Sequence, residues 1–104
     1  MAQRRLSATL ASILLLSASA AQAQESLALE KGCYTCHGNP PKKNAPTFQQ
    51  LATAYVKYQS QPDAAARLAK ELTKGHIFGG INAHETLTQE SALLLIHWII
   101  AGAN

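Results

Sequence analysis

The chain has only two cysteines, and both stand beside a histidine in Cys33-Tyr34-Thr35-Cys36-His37. This is the order Cys-x-x-Cys-His, in which two thiols form thioethers with the vinyl groups of a haem and the adjacent imidazole coordinates its iron. The spacing has a physical basis. The vinyls lie a fixed distance apart on one porphyrin edge; a single turn of chain sets two sulfurs across that gap and projects the next side chain beneath the iron. Three other chemistries use cysteines so placed: a disulfide between Cys33 and Cys36, a thioredoxin-like redox pair, and a zinc site completed by histidines. A thioredoxin-like pair begins a helix after a strand in a βαβ pattern, which this sequence lacks. Zinc needs a further ligand at suitable spacing, and there is no second Cys-x-x-Cys. Haem attachment is the reading the motif favours.

The compartment is read from the start of the chain. Arg4-Arg5, an apolar run from Leu10 to Leu16 and the small residues Ala21-Gln22-Ala23 form the three parts of a secretory signal, with cleavage expected after Ala23. The run is shorter than the roughly 20 residues that cross a bilayer, so no stable membrane insertion is expected once the signal is removed. The remaining 81 residues, 24–104, make one domain, small enough to need a staple beyond its side-chain core. They carry seven Lys or Arg against six Asp or Glu, and haem propionates would bring the finished protein close to neutrality. That balance gives no reason to expect a nucleic-acid partner. A periplasmic location follows from export.

The elements that must position the motif read as helices joined by loops, so the fold class is all-α, with about four helices. A short first helix, Ser26 to Gly32, leads into the cysteines. The breaker-rich segment Gly38 to Pro46 is a loop, and Thr47 caps a helix from about Phe48 to Tyr58 that aligns Leu51, Tyr55 and Tyr58. Gln61-Pro62-Asp63 starts another helix, which runs to Lys74 and stops at Gly75. His76 to Glu85 reads as a second loop around Gly79-Gly80. Thr88 caps a last, largely apolar helix reaching Ala101 and ended by Gly102, too short to span a membrane and suited to packing against the first helix.

Across essentially the whole mature chain these features resemble the class I cytochromes c, in particular small bacterial monohaem ones. Besides Cys33, Cys36 and His37, the resemblance rests on Ala45-Pro46, where the family has Gly-Pro, and on Trp98 in the last helix, where the family packs an aromatic against the first. It implies one covalent haem c with iron, and places Pro46 beside His37, with the carbonyl region preceding it orienting the imidazole. It also implies that Gly32 permits close approach of the last helix near Trp98. The family's second axial ligand is a methionine on the loop before the last helix, yet the only methionine here is Met1. Matching Ile77-Phe78-Gly79 to the family's hydrophobic-aromatic-Gly segment puts Ala83 at the methionine position, between Asn82 and His84. His84 as a second imidazole, Asn82 as a weak ligand, and a distal position left open by Ala83 are the alternatives.

Of the other histidines, His76 reads as a residue contacting helix-terminal carbonyls or water, and His97 as a hydrogen-bonded packing residue of the last helix. Lys42 and Lys43 read as a solvated loop. No catalytic side-chain set is visible, so the expected role is electron transfer, with iron cycling between ferric and ferrous and redox proteins of the periplasm as donor and acceptor of a monomeric carrier. The competing role is a haem protein with an open distal site that binds a small ligand, a gas sensor or peroxidase-like enzyme.

Overall fold

The computed structural model describes residues 21–104. Most of the expected signal, including Arg4-Arg5 and Leu10 to Leu16, lies outside the described residues. Among those described there are helices and no strand, as an all-α class requires. Helix α1 covers 21–30, α2 Tyr34–His37, α3 Phe48–Tyr55, α4 Ala64–Thr73, α5 Asn82–Glu85 and α6 Gln89–Ile100, with a 3₁₀ segment, Val56–Ser60, after α3.

Helix α6 is the axis of the core. Ala92, Leu95, Ile96 and Ile99 recur at i, i+3, i+4 and i+7, and all four are buried together with Trp98. One side of the helix, Leu95, Trp98 and Ile99, joins Ala28 of α1 and Phe48 and Ala52 of α3; the other, Ala92 and Ile96, joins Ala65 and Ala69 of α4. Packing of the first helix against the last is therefore met. Burying each of the large side chains Leu95, Ile96 and Ile99 contributes about 1.5–3 kcal/mol. The alanines facing α6 from α4 leave room for the two helices to approach closely.

Both caps named from the sequence are present. The Thr47 hydroxyl accepts the Gln50 N–H at 3.1 Å while the Gln50 side chain accepts the Thr47 N–H at 2.9 Å, a full capping box, and Thr88 accepts from Ser91 at 3.0 Å. Other details differ. Helix α1 ends before Gly32, whose φ of 75° is left-handed; the Cys33 N–H bonds the Ala28 carbonyl at 3.0 Å and the Gly32 N–H bonds that of Leu29 at 3.1 Å, a Schellman ending. Gly32 thus serves the turn into the cysteine motif, and a Cβ there would meet only Thr35, at 3.9 Å, and no atom of α6. The helix expected to reach Tyr58 tightens to 3₁₀ after Tyr55. His97 is exposed, because it lies with Glu90 and Leu94 on the one edge of α6 that faces solvent. Residues expected as loop before Glu85 include the single helical turn α5.

Candidate haem site

The Schellman turn at Gly32 delivers Cys33 to the start of α2, where the His37 N–H bonds the Cys33 carbonyl at 2.9 Å. Cys33, Cys36 and His37 therefore share one short helical turn. Both thiols are free and half-buried, and burial pushes the Cys33 thiol above its ordinary pKa against an opposing backbone hydrogen bond. After Gly38 the chain is tied back by the Lys42 N–H to the Cys36 carbonyl at 2.9 Å. It then runs to Pro46, just before the capping box of α3.

That route brings the Pro46 carbonyl to the His37 ring. His37 Nδ1 lies 2.6 Å from Pro46 O, so Nδ1 carries the proton and donates, leaving the lone pair on Nε2. The partner is the carbonyl of Pro46 itself, not the one preceding it. Phe48, at the start of α3, packs 5.4 Å from the His37 ring and 5.0 Å from Trp98, linking the imidazole to the core.

Opposite His37 stands His84 of α5. The ring centres are 6.1 Å apart and the planes within 11°. His84 is half-buried, whereas Asn82 and Ala83 on the same turn are exposed. Its pKa is lowered by burial first and by the neighbouring His37, with Glu85 opposing. His76 stands apart from this pair; its backbone N–H donates to Glu85 Oε1 at 2.6 Å, a contact no local sequence signal announces.

The residues fit a flat, apolar, metal-bearing group. Two imidazoles that together held one metal, each nitrogen about 2.0 Å from it, would have ring centres roughly 6 Å apart. On the loop leading to α5, Ile77 and Phe78 are 92% and 90% exposed and Ile81 is also in water, an apolar surface suited to cover by such a group. Zinc is not favoured, since no three His, Cys, Asp or Glu side chains converge among the described residues.

Comparison with known proteins agrees. The chain is 33% identical over 82 residues to cytochrome c-552 of Hydrogenobacter thermophilus, covering 76% of this chain and 81% of that protein. It is 32% identical over 80 residues to cytochrome c2 of Rubrivivax gelatinosus, covering 71% of this chain and 91% of that protein. No family model matches the chain. No solved structure matches it. A Cys-x-x-Cys-His turn held by a glycine cap, in an all-α core that matches two cytochromes over most of their length, places the chain in the class I cytochrome c family, with one covalent haem c as its cofactor.

Proposed function

We propose that the chain is an exported electron carrier whose haem is joined to Cys33 and Cys36 and held at the iron by His37 and His84. The observation that carries this reading is the parallel placement of the two imidazoles 6.1 Å apart. The bound haem supplies one-electron chemistry between ferric and ferrous iron. The protein's own residues do the rest. Pro46 fixes the tautomer and orientation of His37 and raises the basicity of its Nε2. Phe48 packs beside that ring, and burial favours the neutral form of His84, the form able to ligate. Imidazole in place of methionine lowers the reduction potential, since methionine ligation raises it.

The signal over residues 1–23 sends the mature domain, 24–104, to the periplasm, where its donor and acceptor are redox proteins and it works as a monomer without catalysis of its own. No described helix is long and apolar enough to cross a membrane.

Optical spectra of the holoprotein, oxidised and reduced, with and without CO, test the ligation. The expected spectrum is low-spin and unchanged by CO, and His84→Ala converts it to a high-spin, CO-binding form. A wild-type protein that is high-spin and binds CO at once would overturn the assignment of His84.

A further inference from the structure

Glu85 is a carboxylate at the site that ligation by His37 and His84 leaves without a role. Its side chain is 25% exposed, and Oε1 accepts the His76 N–H at 2.6 Å and lies 3.9 Å from His76 Nδ1. Oε2 rests against Gly80, where a Cβ would stand 2.6 Å from it. One carboxylate therefore joins the beginning of the segment 76–85 to its end and lies over its middle.

Although α5 lies against α4, little else closes the segment on itself. Helix α5 is four residues long, with no side-chain cap and no buried residue, and a single turn has little stability of its own. Ile77 and Phe78 contribute no packing, being almost wholly exposed. The Thr86 hydroxyl bonds the Asn82 carbonyl at 2.9 Å, but that contact lies within the turn and does not anchor it.

We propose that Glu85 is a positioning residue, a clamp that closes segment 76–85 and so holds the His84 imidazole opposite His37; the proposal rests on ligation by His84. Gly80 belongs to the same device, because only a residue without a side chain leaves the carboxylate its place. The backbone at Gly80 is not left-handed, so an alanine there acts through the carboxylate and not through strain.

The test is CO binding to the reduced holoprotein, with the high-spin fraction of the oxidised form as a second readout. CO must wait for His84 to leave, so its binding rate counts how often the segment opens. Removing a hydrogen bond to a charged group changes such an opening equilibrium by about tenfold or more. Glu85→Ala is therefore expected to bind CO about tenfold faster, and Gly80→Ala to shift in the same direction with Glu85 chemically intact. Glu85→Gln, whose amide oxygen still accepts the His76 N–H in a neutral and weaker bond, is expected to fall between wild type and Glu85→Ala. If His84→Ala opens the site but Glu85→Ala and Gly80→Ala bind CO at the wild-type rate, the clamp is refuted while ligation stands. If Glu85→Gln opens as far as Glu85→Ala, the hydrogen bond to His76 is not what holds the segment. If His84→Ala leaves CO binding unchanged, ligation by His84 fails and the clamp fails with it.

Discussion

The carbonyl that orients His37 belongs to Pro46 and has no side chain to remove, but its position is set by the next residue. Thr47 is the N-cap of α3, and its hydroxyl and the Gln50 side chain close two reciprocal hydrogen bonds, at 3.1 and 2.9 Å. Thr47→Ala removes the first bond outright and weakens the second by freeing the turn. Loss of a threonine cap costs about 1 kcal/mol. In a domain of this size each 1 kcal/mol lowers Tm by about 4–8 °C, so a fall in that range is expected in thermal unfolding of the holoprotein. The same change loosens the Pro46 carbonyl and lengthens the 2.6 Å bond from His37 Nδ1. A weaker bond leaves the imidazole less basic, which favours ferrous iron, so the reduction potential should rise. Thr47→Ser keeps the hydroxyl and should restore both stability and potential. A Thr47→Ala protein with the expected loss of Tm but an unchanged potential would refute the coupling of cap to imidazole. Equal losses in the Ser and Ala variants would refute the role of the hydroxyl.

Leu95 is 3% exposed between α1, α3 and α6, and Leu95→Ala should cost about 2–5 kcal/mol in denaturant unfolding, a large share of a small domain's stability. At Gly38 a Cβ would stand 2.7 Å from the Tyr34 carbonyl oxygen, whereas at Gly32 the Cβ has room and only the left-handed backbone is strained. Gly38→Ala should therefore reduce the yield of covalently attached haem more than Gly32→Ala, as measured on denatured protein. Tyr55 has its phenol pKa raised, by burial first and then by Tyr58, so above the ordinary tyrosine value of about 10 the unfolded chain releases its proton first. Stability should fall as pH rises past that value, and Tyr55→Phe should flatten the fall in alkaline denaturant titrations.

Local chemistry was legible in the sequence. The Thr47 and Thr88 caps and the stop at Gly102 each depend on a few consecutive residues and are found where expected, whereas the helix expected to run to Lys74 and stop at Gly75 already ends at Thr73, with Lys74 extended. What was not legible depends on distant segments. The 3₁₀ tightening after Tyr55 leaves Gln59 bonded to the Ile100 carbonyl at 3.0 Å, a contact across 41 residues that no periodicity reports. The family resemblance implies a packing role for Gly32 against the last helix, while its left-handed φ appears only once the chain turns. His97 looked buried because its neighbours are apolar, yet a helix flanked on two sides still shows one edge to water. Among Asn82, Ala83 and His84, adjacent in sequence, only the facing of the folded segment distinguishes one from the others.

The chain has a single tryptophan, and its surroundings make it a native optical probe. Trp98 is 2% exposed, its indole N–H meets no acceptor among the described residues, and Phe48 separates it from His37 along a row of rings. Because a haem held beside His37 would quench indole emission by energy transfer, separation of Trp98 from it as α6 leaves α1 and α3 would register as a gain of emission from one site. Folding kinetics of the last helix can thus be followed without any label.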